Sequence, residues 1–153
     1  EKEEEKVQAH HKIMDLGHWT TQIVITEDTN PYGFIYQITN LINNKKYIGK
    51  KQCVTVKKRA PLKGKKNKRH EVVDTDWRTY TSSSNELNKD ILEQGKETFS
   101  FEILMLCNSK WSLSYNEAKL QFEKEVLLKD EYYNGIINLR IGKQPASNKS
   151  SQV

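Results

Sequence analysis

The stretch GFIYQITNLINNKKYIGKK, Gly33 to Lys51, admits few backbone paths. GFIYQITN is rich in β-branched and aromatic residues, which suit a pleated, half-buried strand. LINNKK supplies a turn, since Asn43 and Asn44 tolerate left-handed backbone. KKYIG then returns as a second strand. The result is a hairpin, with Tyr36 and Tyr47 on adjacent strands and both hydroxyls able to reach one concave surface. Taken alone, the pair is equally consistent with ordinary cross-strand packing.

The later segments extend the hairpin into an α+β domain. Ser83 and Glu86 have capping-box spacing ahead of a helix carrying Leu87, Ile91 and Leu92 on one side, and Gly95 fits its stop. FSFEILML follows as the strongest strand. Its tail is apolar on both faces, so it belongs at the sheet centre. A second helix is expected from about Ser114 to Lys129, with Leu120, Val126 and Leu127 roughly on one side. The order hairpin, helix, strand, helix predicts a small central, mainly antiparallel sheet of about three strands flanked by helices.

The flanks read as peripheral. Residues 1–31 form an N-terminal extension, with a short helix ending at Gly17 and a strand over Gln22–Thr26 before the Asn30–Gly33 turn. Residues 143–153 are a polar tail expected to be disordered. The 153 residues fit one domain with a core that needs no disulfide staples. Cys53 and Cys107 form no CxxC pair, which argues against a zinc site and favours a reducing, intracellular setting. No apolar run approaches a membrane span.

The net charge of +5 conceals a strong asymmetry. Residues 45–70 hold twelve Lys or Arg and no Asp or Glu. This block reads as an insertion over about 50–75, with a helical start at Val54–Arg59. A solvated loop, a localisation signal and a phosphate-binding surface all explain such a run. On the last reading, Lys50, Lys51, Lys57, Lys58, Lys65, Lys66, Lys68 and Arg69 contact DNA backbone.

In this order the motifs resemble the GIY-YIG endonuclease family. Gly33-Phe-Ile35-Tyr36 and Tyr47-Ile48-Gly49 match its two name motifs, and the likeness covers about residues 32–142. Tyr80 before the Ser82–Ser84 run, the helix bearing Glu117, and Tyr133-Asn134 to Asn138 complete the order. The details are similar to phage Seg-like homing endonucleases.

The resemblance implies a metal-dependent DNA endonuclease acting on double-stranded DNA in the host cytoplasm, with one Mg²⁺ or Mn²⁺ held by a single helix carboxylate. It implies catalytic roles for Tyr36 and Tyr47, with nearby lysines and the ion favouring phenolate. It implies a phosphate-binding arginine soon after Gly49: Arg59 is nearest, with Arg69 and Arg78 as rivals. Tyr80, ahead of His70, fills the position near the leaving group, and Asn138 matches the closing asparagine. Glu117 is the expected metal ligand, although Ser114 and Glu117 also have capping-box spacing. Gln121 and Glu123 are the alternative positions. The competing functional reading is a catalytically silent DNA- or RNA-binding module of the same fold.

Overall fold

The computed structural model describes residues 12–146. Its elements in chain order are β1 (Thr20–Thr21), β2 (Gly33–Asn40), β3 (Lys46–Gln52), β4 (Val54–Arg59), β5 (Arg69–Asp74), α1 (Asn85–Gln94), a short 3-10 turn (Lys96–Thr98), β6 (Phe99–Cys107) and α2 (Lys110–Glu123). One sheet has the order β1-β6-β2-β3, and β4-β5 form a separate two-stranded ribbon. β1 runs parallel to β6, and every other pairing is antiparallel. The α+β class and the mainly antiparallel sheet follow the sequence reading, with a fourth, two-residue strand added.

The hairpin forms as expected. β2 and β3 pair with Tyr36 opposite Gly49 and Ile38 opposite Tyr47. Asn44 takes φ 60°, a left-handed conformation that asparagine adopts more readily than most residues. β6 lies inside the sheet, between β1 and β2. A register shift opposite the Ile35–Tyr36 step leaves Leu104 as one extra residue in β6. That bulge inverts the side-chain alternation. Phe101 and Ile103 therefore face one side with Phe34 and Tyr36, while Met105 and Cys107 join Ile35 and Ile48 on the other.

Two apolar layers result. On one side Trp19, Phe34, Trp77, Leu87, Phe99 and Phe101 pack around Tyr36. On the other, Leu113 and Leu120 of α2 and Val126 after it cover Ile35 and Ile48. Trp77 is therefore a core residue.

Several expectations give way. Val54–Arg59 is a strand rather than a helix. Val54, Thr55 and Val56 are β-branched, and the RHEVVD segment offers a cross-strand partner. The first helix is capped by Ser84, whose hydroxyl accepts from the Leu87 N–H at 3.3 Å, rather than by Ser83. Leu92 points to water at 86% exposure. The second helix starts four residues early, where Ser109 accepts from the Ser112 N–H at 3.1 Å. It ends at Glu123, and Glu125 turns away with φ 54°.

The segment read as an extension contributes to the core: Trp19 and Ile25 are buried, and the Trp19 indole N–H donates to the Trp77 carbonyl at 2.6 Å. The strand there is Thr20–Thr21, not Gln22–Thr26, because the Thr20 and Thr21 hydroxyls donate to carbonyls of β6. Residues 12–17 are not helical. The remainder of that expected helix, and the tail beyond residue 146, lie outside the described residues.

Candidate active site

β3 is an edge strand, and an edge exposes unpaired backbone groups. Here the outward groups are consumed one by one. The Lys46 N–H donates to the Glu131 carbonyl and the Lys46 carbonyl accepts from the Tyr133 N–H. Asn134 embraces Ile48: its carbonyl accepts from the Ile48 N–H at 3.1 Å, and its amide donates to the Ile48 carbonyl at 2.8 Å. The Gln121 amide donates to the same carbonyl at 2.9 Å. The Lys50 N–H is directed at the Glu117 carboxyl from α2.

Gly49 lies between these clamps. A Cβ there would meet the Tyr36 hydroxyl oxygen at 2.5 Å and a Tyr47 ring carbon at 2.7 Å. The missing side chain is the gap through which the Tyr36 phenol crosses the strand. Tyr36 stacks on Tyr47 with centroids 6.1 Å apart and meets Tyr80 edge-on at 6.3 Å. The Ser83 hydroxyl reaches both the Tyr47 and Tyr80 phenols. Glu117 acts electrostatically on all three tyrosines. Tyr36, Tyr47, Tyr80 and Glu117 thus form one cluster drawn from separate chain segments.

The cluster is proton-retaining. Burial pushes the Tyr36 phenol well above its ordinary pKa, and Tyr47, Tyr80 and Glu117 push it further. Burial also raises Tyr47 and Tyr80, partly offset by Ser83. No lysine acts on Tyr36 to oppose this rise, so within the chain itself its phenol is held as a hydrogen-bond donor. Burial raises the Glu117 carboxyl too, opposed by the Lys50 ammonium and backbone N–H. Glu117 does not cap its helix, since Ser109 does.

These donors fit a hard divalent cation. Such ions take oxygen ligands, and Mg²⁺ keeps several waters. Glu117 offers a carboxyl whose charged form is disfavoured by burial, and a cation would favour it. Among the described residues no group of three or more His, Cys, Asp and Glu could hold a metal.

The cations at the cluster are lysines. Lys51 Nζ sits 4.0 Å from the Tyr80 ring centroid and 2.7 Å from Asp76, whose carboxyl it holds below the ordinary range. Lys50 Nζ donates to the Ser114 hydroxyl at 3.0 Å. The three candidate arginines are engaged elsewhere. Arg59 Nε lies 2.6 Å from Glu71, Arg69 Nε donates to the Ala60 carbonyl, and Arg78 lies over Trp77 and donates to the Asp15 carbonyl. His70 is on β5, opposite Lys58.

Lys57 and Lys58 are on β4, and Lys65, Lys66 and Lys68 are in the exposed ribbon loop. Asn138 is exposed and braces nothing at the cluster; Asn134 makes that contact instead. Gln121 is a backbone clamp, and Glu123 is exposed at the helix end. No local pattern distinguishes Asn134 from Asn138, because its partner Ile48 is 86 residues away.

The site is thus a hairpin-edge cluster of phenols with one helix carboxyl, set in an α+β domain. Residues 19–137 match the family described as "Putative endonuclease segE, GIY-YIG domain". The chain belongs to that family of GIY-YIG nuclease domains. No curated protein and no solved structure matches it. Among the described residues, no helix is long and apolar enough to cross a membrane.

Proposed function

We propose that this chain is an endonuclease that hydrolyses phosphodiester bonds of double-stranded DNA, with one Mg²⁺ or Mn²⁺ at Glu117. The observation that carries this reading is the convergence of Tyr47, Tyr80 and Glu117 on Tyr36, whose phenol lies over Gly49, in a chain of a nuclease family. The homing-type, phage-borne role and the host-cell setting belong to the same proposal, supported by the likeness to Seg-like enzymes.

Phosphodiester hydrolysis needs an oriented water, relief of phosphate charge and a path for the leaving oxygen. Tyr36, kept protonated by its surroundings, orients the water or a phosphate oxygen by donating its O–H. Tyr47 holds Tyr36 in place through the stacked rings. Tyr80 stands near the leaving oxygen, with Lys51 beside it. Lys50 and Lys51 supply the positive charge expected of an arginine, as point charges rather than a fork. The ion, when bound, contributes Lewis-acid charge and lowers the pKa of nearby water. The products are 5′-phosphate and 3′-hydroxyl ends.

One observation favours a second reading: none of Arg59, Arg69 and Arg78 reaches the tyrosines. On that reading the chain binds DNA without cutting it. Incubation with supercoiled plasmid separates the two, with Mg²⁺, Mn²⁺ or EDTA. The first reading predicts metal-dependent nicking that falls about 10²–10³-fold in Tyr36→Phe and Glu117→Gln. Duplex retention without nicking under either ion establishes the silent module. Undiminished nicking by Glu117→Gln removes the metal assignment.

A further inference from the structure

The β4-β5 ribbon is not needed to close the sheet. Its strands pair only with each other, and it joins the core through Val54 and the Thr75–Cys53 backbone bond. An isolated two-stranded hairpin is marginally stable in water, yet both faces of this one are wet beyond its base. Val56 and Val72, opposite each other on one face, are 60% and 67% exposed. Residues 54–74 carry eight Lys or Arg against two acids, more positive charge than the whole chain's net +5. Such a surface matches a polyanion.

The ribbon's far end is specific in a way the loop lysines are not. Arg59 and Arg69 lie directly opposite each other. Like charges in that position repel, and the Glu71 carboxylate offsets this for Arg59. Each guanidinium is held by its Nε alone: Arg59 against Glu71 at 2.6 Å, Arg69 against the Ala60 carbonyl at 3.1 Å. Their terminal nitrogens are left as two oriented forks. The major groove of DNA, about 12 Å wide, admits a two-stranded ribbon, and an arginine fork matches guanine O6 and N7.

We propose that β4-β5 is a DNA-reading arm that enters the major groove. Arg59 and Arg69 contact base edges, and the loop lysines bind the flanking phosphates. This rests on DNA being the substrate and gives Arg59 a recognition role in place of a catalytic one.

The test is binding of the full chain to a randomised duplex pool and to single duplexes over about 50–200 mM salt, with EDTA so that no cutting is needed. Arg59→Lys and Arg69→Lys keep the charge but lose the fork. Each is expected to relax selection for a guanine by about ten- to hundredfold while keeping the salt slope. Replacing Lys63, Lys65, Lys66 and Lys68 by Gln is expected to flatten the slope of log K against log salt by about 3–4.

Wild-type protein that binds duplex without base selection, or selection unchanged in both arginine variants, overturns the proposal. So does an unchanged slope in the loop variant. Protein that selects duplexes through the arm yet never nicks plasmid sustains the arm and refutes the endonuclease reading. Plasmid nicking with selectivity indifferent to the arm does the reverse.

Discussion

Replacing Gly49 by Ala tests the close approach on which the cluster depends. Gly49 sits in β3 with ordinary strand backbone, so its value there is spatial rather than conformational. The new methyl would lie 2.5 Å from the Tyr36 hydroxyl oxygen, 2.7 Å from Tyr36 Cζ and 2.7 Å from Tyr47 Cε1. Tyr36 cannot swing aside, since it is 1% exposed with Trp19 at 5.0 Å and Phe34 at 6.1 Å between centroids. Overpacking of this kind costs about 1–3 kcal/mol. Against it stands a gain of about 0.5–1 kcal/mol from removing a strand glycine.

The net expectation is a loss of about 1–2 kcal/mol, seen as a lower urea midpoint at unchanged m-value. In a chain this long that corresponds to a Tm lower by roughly 2–8 °C. The double variant Tyr36→Phe/Gly49→Ala loses the 2.5 Å contact but keeps the two ring contacts. Its destabilisation should fall short of the sum of the singles by about 0.5–1 kcal/mol. Strict additivity, or a Gly49→Ala protein more stable than wild type, would mean that the phenol does not cross the strand at this point.

Other consequences are open to direct measurement. Asn134→Ala strips Ile48 of its N–H partner and one of two carbonyl partners; unfolding should cost about 2–4 kcal/mol less, with faster hydrogen exchange at the Ile48 amide. Burial, then Lys96, lowers His18 to a pKa of about 4 from the usual 6.5, against a smaller raising contribution from the Tyr80 backbone. Neither of its buried nitrogens has a hydrogen-bond partner. The unfolded chain therefore binds the extra proton between these values, so stability present above about pH 6.5 is lost as pH falls toward about 4.

Partial exposure of His18 discounts the full linkage to about 1–2 kcal/mol. His18→Phe, which keeps the stack on Phe101, should remove that slope in urea titrations at about pH 7, 5.5 and 4. Burial pushes the Cys53 thiol up to about 12 and raises Cys107 as well, so both should react with a thiol reagent only after denaturant is added.

What the sequence showed and what it hid divide by range of interaction. The β2-β3 hairpin, the Gly95 stop and the interior strand were legible because turn chemistry, glycine conformation and β-branched content act within a few residues. The Leu104 bulge was half legible: an apolar tail on both faces announced an inner strand, though not the inversion that produced it. Trp19 was missed because its segment has no periodicity, and its partners Phe34 and Trp77 are far along the chain. The basic block read as an excursion because charge dominates its composition. The alternation VTVKKR against RHEVVD shows as pairing only when the two segments are compared. Motif order brought Tyr36, Tyr47, Tyr80 and Glu117 forward as candidates, and their meeting is geometric. That Asn134 rather than Asn138 clamps Ile48 was hidden for the same reason, since the partners lie 86 residues apart.

The edge of β3 also limits how this site can change. An uncovered edge invites pairing with another chain, and here the cover comes from the segment after α2, from Gln121 and from Glu117. The carboxyl positioned for chemistry is one of the groups that satisfies the strand's backbone. Removing it exposes the Lys50 N–H as well as costing the proposed metal ligand, so Glu117→Ala confounds two effects while Glu117→Gln keeps an oxygen acceptor. The protonated phenols are constrained similarly: the burial that fixes Tyr36 over Gly49 also withholds its phenolate. Geometry and basicity oppose each other at that residue. On the proposed reading, orientation comes from the tyrosines, and charge must come from the lysines and the proposed ion.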